Sequence, residues 1–190
     1  MVTVADLAEL DLAPLPTEVA DLCAVVAAPE RLVAHLTLVH DVAGRLIARL
    51  EDACPGLVLP AEEILFGAAT HDIGKAVVPE ELTAPGHAHE EAGYVFLVEQ
   101  RVPPRLARFT VTHGEVTTSA GADLADVLVA LADKIWRGKR DAAVEELVCA
   151  ELERVSRQPP WTVYALLDEI LSELAATATA RLQWQQRFQI

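Results

Sequence analysis

A chain of 190 residues fits one domain with a sizeable core. Its formal net charge of −14 at pH 7 argues against a long nucleic-acid partner, because a duplex would be repelled. Apolar residues make up 52%, with alanine and leucine dominant, which favours packed helices, yet no apolar run approaches the ~20 residues needed to span a bilayer, so no membrane partner is expected.

Residues 1–16 contain Pro14 and Pro16 and read as an irregular lead-in, without the basic region of a signal peptide. Thr17 is a good N-cap for a helix through about Ala27. Pro29, at a first-turn position, starts the next helix, to about Asp52. Its apolar stripe is Leu32, Leu36, Val39, Ala43, Leu46 and Leu50. His35 borders that stripe, whereas His40 turns toward the polar side.

Cys54-Pro55-Gly56 interrupts the chain, and Pro60 opens a helix that ends at His71-Asp72. Residues 75–86, with Pro79 and Pro85-Gly86, read as a loop. A helix over about 88–100 follows, and Pro103-Pro104 begins another toward His113. Arg101, Arg105 and Arg108 share a face that reads as a solvated stripe. Ala122 to Arg137 is apolar nearly all round and therefore central, which places Asp133 in the interior. Arg137, four residues on, is one candidate partner for that carboxylate.

Two further helices are expected at about 141–156 and 160–187, the last with a stripe of Leu166, Ile170, Leu174 and Ala178. Trp161, Tyr164, Trp184 and Phe188 suit stacking on a base, closing a core or forming a homodimer interface. The organisation expected is a lead-in and helix at 1–28, a core at 29–140 and C-terminal helices at 141–190 packed on it, all in one domain. Cys23, Cys54 and Cys149 are odd in number, scattered and without ligand spacing, which points to a reducing compartment and a cytoplasmic protein.

The run Ile64-Leu65-Phe66-Gly67-Ala68-Ala69 delivers a histidine and a carboxylate side by side, then meets Gly74 and Lys75. Burying a charged carboxylate is costly unless it is paired or bound to a metal. Adjacent nitrogen and oxygen donors suit a divalent transition metal. His40-Asp41 is a second such pair, but it lies mid-helix, where neighbouring side chains diverge by about 100°. At 71–72 the helix is ending, and Gly74 is a candidate C′ residue that lets the backbone turn both side chains toward one point.

His71-Asp72-Ile73-Gly74-Lys75 resembles the signature of the HD-domain metal-dependent phosphohydrolases. Further family positions follow the same order. His35 precedes Val39 and Ala43, His89 precedes Gly93, His113 closes an Arg/Val/Thr-rich segment, and Asp133 stands in Ala130-Leu131-Ala132-Asp133-Lys134. Either His87 or His89 could face a site from a helix start, and the His-x-x-x-Gly spacing favours His89. The resemblance covers roughly residues 31–140. It implies an all-α HD-domain helical bundle, here with additional C-terminal helices.

The resemblance also implies a divalent ion held by His35, His71, Asp72 and Asp133, and a second held by His89 and His113 with Asp72 bridging. The implied reaction is hydrolysis of a small phosphate ester, expected to be a nucleotide, by attack of a metal-activated water. Asp72 and Lys75 are the expected catalytic residues, Lys75 resembling the family lysine that contacts the scissile phosphate. Mixed nitrogen and oxygen ligands admit Mn, Fe, Co, Ni or Zn. Gly93-Tyr94 is followed by Val95, so the Gly-Tyr-Pro motif of the cyclic-dinucleotide branch is not present.

Lys134, Arg137, Lys139 and Arg140 concentrate positive charge beside Asp133. They fit a substrate-binding rim for phosphate or, equally, cations that offset a helix dipole. Two rival functions are a di-iron oxygenase on the same fold and a non-catalytic regulatory module that binds a nucleotide or a protein.

Overall fold

In a computed structural model that describes residues 2–116 and 122–190, the chain is all-α, with no strand among those residues. The helices are α1 Val4–Glu9, α2 Thr17–Val25, α3 Glu30–Ala53, α4 Ala61–Thr70, α5 Ala88–Glu99, α6 Pro104–Ala107, α7 Phe109–Glu115, α8 Leu124–Ile135, α9 Ala142–Ser156, α10 Pro160–Ala176 and α11 Ala178–Gln185. Two 3-10 turns, Ile73–Ala76 and Pro79–Leu82, join α4 to α5.

The centre is built by α3, α4 and α8, whose apolar stripes face one another. Val39, Leu46 and Leu50 of α3, Ile64 and Ala68 of α4, and Leu128 and Leu131 of α8 share one buried cluster. Val148 and Leu152 of α9, with Leu167 and Leu171 of α10, extend it. A smaller cluster, including Val19, Leu36, Phe66, Ile73 and Leu97, joins α2 and α5 to the other side of α3 and α4. Burying a side chain such as these leucines contributes roughly 1.5–3 kcal/mol each relative to exposure.

Small residues decide how closely the helices approach. A Cβ on Gly67 would stand 2.6 Å from the Phe109 ring, so the Gly67-Ala68-Ala69 run of α4 is what admits α7. That approach brings His113 of α7 to His71, with ring centroids 4.9 Å apart. Asp123 caps α8 reciprocally with Asp126, fixing where that helix begins.

Several local expectations are corrected. The lead-in contains α1, started by a Thr3/Asp6 capping box and held to α11 where Trp184 Nε1 donates to the Asp6 carbonyl at 2.9 Å. Thr17 is the first helical residue of α2 rather than its cap; Pro16 occupies the cap position, with no side-chain hydrogen bond. The segment 75–86 is not a plain loop, since the two 3-10 turns run into it. The expected helix at 160–187 breaks at Thr177 into α10 and α11. His40 is buried rather than turned to solvent, and beside it the Ala13 N–H donates to Asp41 at 3.0 Å.

Arg101, Arg105 and Arg108 do not form a solvated stripe. Arg101 lies at a left-handed position (φ 67°) after α5, where the helix has ended. Arg108 bridges Glu63, Asp123 and Asp126, tying the starts of α4 and α8 to α7. Trp184 is buried and stacks edge-on against Phe188 at 4.8 Å, whereas Trp161 and Tyr164 remain exposed on α10.

Candidate metal centre

Five helices converge on one point. His35 comes from α3, His71 and Asp72 from the end of α4, His89 from the first turn of α5, His113 from α7 and Asp133 from α8. The α4 helix closes with the His71 N–H donating to the Gly67 carbonyl at 2.8 Å. His71 keeps helical dihedrals, then Asp72 leaves them at φ −104° and ψ 8°. That single departure aims the two neighbouring side chains at a shared position.

Gly74 does not act through a left-handed C′ conformation; it lies inside the Ile73–Ala76 turn. Its role is contact, because a Cβ there would meet the His89 carbonyl oxygen and the Gly93 backbone of α5. The His89-to-Gly93 spacing thus has a steric reason. Gly93 is the flat spot on α5 that lets His89 reach Asp72.

Two overlapping sets of donor atoms result, each with its atoms within 4.8 Å of one another. One is His35, His71, Asp72 and Asp133; the other is Asp72, His89 and His113. His35 Nε2 lies 3.1 Å from Asp72 Oδ2, and His71 Nε2 lies 3.3 Å from Asp133 Oδ1. On the far oxygen, Asp72 Oδ1 is 3.1 Å from His89 Nε2 and 3.5 Å from His113 Nε2. Asp72 therefore presents one oxygen to each set.

Three of the four outer ring nitrogens are already engaged, and His35 Nδ1 is buried without a partner. His71 Nδ1 meets the Ala68 carbonyl at 2.9 Å and His113 Nδ1 the Phe109 carbonyl at 3.0 Å. A carbonyl can only accept, so each Nδ1 carries the proton and each Nε2 faces inward. His89 Nδ1 meets Glu81 Oε2 at 2.5 Å.

Burial works against the charge on Asp72, but the surrounding imidazoles of His71, His113, His35 and His89 outweigh it and hold its pKa well below the ordinary value. Asp133 behaves likewise, with burial opposed and overcome by His71 and His35. Two anionic carboxylates among four imidazoles are a donor set that suits a divalent cation. Asp72 Oδ1 and His89 Nε2 are buried without a hydrogen-bond partner and face each other across the second donor set, whereas the other such atoms, His35 Nδ1 and His40 Nδ1, are not among its atoms. Buried polar atoms left so are rare in proteins unless a ligand meets them. The residues fit a metal ion.

A cavity of about 640 Å³ opens over the cluster. Lys75, Lys134 and Arg137 line it, together with Arg31, which the motif pattern does not indicate. Lys75 Nζ donates to Asp72 Oδ2 at 2.5 Å. Arg140 does not join them. Its guanidinium is held by Glu145 and Asp168 between α9 and α10, away from the cavity. Arg137 is not bonded to Asp133, whose side chain faces His35 and His71 instead.

His87 is exposed and pairs with Glu90 at 2.8 Å, while His89 enters the cluster. Glu81 and Trp136 were not indicated by the sequence pattern. Trp136 meets His35 edge-on at 5.1 Å and lines the cavity. Glu81 sits eight residues before His89 in an acidic turn, and no helical periodicity marks it.

A family model described as the HD domain matches residues 32–138, more than half of the chain. No curated protein and no solved structure matches it.

Proposed function

The chain belongs to the HD-domain family, and from that premise we propose that it is a metal-dependent phosphohydrolase acting on a small phosphate ester, a nucleotide in the first instance. The observation that carries this is Asp72, which offers one carboxylate oxygen to each of two histidine-containing donor sets. His35, His71, Asp72 and Asp133 would hold one ion; His89 and His113, sharing Asp72, would hold a second. A divalent ion there lowers the pKa of a water and polarises a phosphoryl oxygen.

The chain's own groups supply the rest. Lys75 stands at the cavity edge with its ammonium against Asp72, where it can meet charge that develops on a phosphoryl oxygen. Arg31, Lys134 and Arg137 line the same cavity and give an acidic protein a locally cationic wall. A volume of about 640 Å³ suits a ligand of nucleotide size. Cys23, Cys54 and Cys149 are buried free thiols, which supports a reducing, cytoplasmic setting. No helix among the described residues is long and apolar enough to cross a membrane.

The decisive experiment loads chelator-treated protein with Mn, Fe, Co, Ni or Zn in turn and measures phosphate release from a panel of nucleotides and simple phosphate esters. Metal-dependent release from at least one ester is expected. Stoichiometric metal binding with no release from any ester would sink the hydrolase assignment. Oxygen uptake by the iron form would replace it with oxidative chemistry.

A further inference from the structure

His71 and His113 have their Nδ1 protons fixed by their own helices. The carbonyls three and four residues earlier, Ala68 and Phe109, lie directly beneath them. His89 has no such support. It is the second residue of α5, so no helical turn precedes it to offer an aligned carbonyl. A side chain takes that place. Glu81 Oε2 accepts from His89 Nδ1 at 2.5 Å and from the His89 backbone N–H at 3.1 Å. Its Oε1 accepts from the Ala88 N–H at 2.9 Å.

We infer that Glu81 is a positioning residue for the second donor set: it keeps the His89 proton on Nδ1 and commits Nε2 to a cation beside Asp72. In the neutral ring, with Nδ1 donating to Glu81, Nε2 carries the lone pair, and it stands 3.1 Å from Asp72 Oδ1, itself an acceptor. Neither atom has a hydrogen-bond partner. Two acceptors held that close call for a positive charge between them. Histidine ligands in metal sites commonly have their second nitrogen held by a carboxylate in this way.

Glu81 is itself held in place. It belongs to the Pro79–Leu82 turn, whose Leu82 packs on the smaller core cluster. A Cβ on Gly86 would fall 2.1 Å from Glu81 Oε1, so the chain passes close over the carboxylate. Glu81 also satisfies two N–H groups at the start of α5, which links the docking of that helix to the aim of His89.

The inference rests on the two-ion reading of the site and not on phosphate chemistry, so it is tested with metal alone. Cobalt titration of chelator-treated parent protein should show two ions per chain. In Glu81→Gln the amide can still accept a backbone N–H, but it can also donate to Nδ1 and so permit the tautomer with the proton on Nε2. The second ion's affinity should then fall by roughly 10- to 100-fold while the first ion keeps its parent affinity. Parent-like affinity for both ions, or equal loss of both, would overturn the inference.

A measurement on the parent itself guards against a variant that fails to fold. Long-range proton–nitrogen correlation of the zinc-loaded parent should place the His89 proton on Nδ1. A proton on Nε2 would refute the role of Glu81 whatever the variant does. A parent that binds two ions but hydrolyses no ester defeats the proposed function and leaves this inference standing. A parent that binds a single ion defeats this inference and leaves the function open to the first set alone.

Discussion

Gly74 and Gly93 meet backbone to backbone. A Cβ added to Gly74 would stand 2.0 Å from the His89 carbonyl oxygen and 2.6 Å from the Gly93 nitrogen. Backbone atoms cannot swing aside as a flexible side chain can, so Gly74→Ala must separate the 3-10 turn from α5. The expected loss is about 3 kcal/mol of stability, at the upper end of overpacking effects, with weakened uptake of a second ion because His89 moves. Gly44→Ala is the control. Its Cβ would make ordinary contact with Leu65 at 3.6 Å in the interior of α3, so it should be neutral or stabilising by about 0.5–1 kcal/mol. Urea unfolding of the two variants checks the contrast.

Asp72→Ala should abolish binding of both ions, because its two oxygens serve both donor sets. His40→Ala should leave metal stoichiometry at the parent value and cost stability instead, since His40 is a buried imidazole outside both sets. Metal analysis after dialysis decides between them. Metal lost from the His40 variant and kept by the Asp72 variant would show that the wrong dipeptide was assigned.

Lys75→Ala should lower turnover about a hundredfold or more, the usual effect of removing one donor to developing charge. Metal content should be maintained or tightened, because the Lys75 ammonium at 2.5 Å competes for Asp72 Oδ2. Turnover measured alongside metal stoichiometry separates the two effects. Parent-like turnover would make Lys75 only a structural partner of Asp72.

Arg137→Ala should raise KM for a phosphate ester several-fold with little change in kcat, because Arg137 lines the cavity without an ion pair among the described residues. Arg140→Ala should leave both constants alone and slightly destabilise the contact between α9 and α10, where Arg140 is held by Glu145 and Asp168. Steady-state kinetics of the pair would reveal an error if Arg140 proved the more sensitive.

Arg181 is buried and caps two helices at once. Its guanidinium donates to the Trp136 carbonyl at 2.6 Å, to Ile135 and to the Leu174 carbonyl, which lie at the ends of α8 and α10. Burial pulls its pKa down to about 10, so it remains charged at neutral pH. Arg181→Met keeps the bulk but strands those carbonyls, and about 3 kcal/mol of stability should be lost at 1–3 kcal/mol for each buried group left unpaired. Thermal unfolding of the variant measures it.

The sequence by itself determined the helical class and the main helices, because these rest on local matters, while the six ligand candidates follow from the resemblance to the HD-domain signature and their order along the chain. Apolar spacing along a helix, proline and glycine punctuation, and the unusual delivery of His71-Asp72 by an apolar run are all readable within about 20 residues. Gly93 was visible as a spacing, though its reason was not.

What only the tertiary structure decided depends on which surfaces face each other. The burial of His40 is such a case, because helical periodicity reports a face of α3 and not what packs on that face. Arg140 looked like part of the cationic rim because it follows Arg137 closely, but the chain turns at Gly138 (φ 77°) and carries it to carboxylates on α9 and α10. Glu81 was illegible for the opposite reason. Its partner His89 is near in sequence, yet their contact is made by a 3-10 turn folding over the start of α5, and turn geometry leaves no periodic trace. The candidate donors are visible in the pattern; which groups hold and orient them was decided by packing.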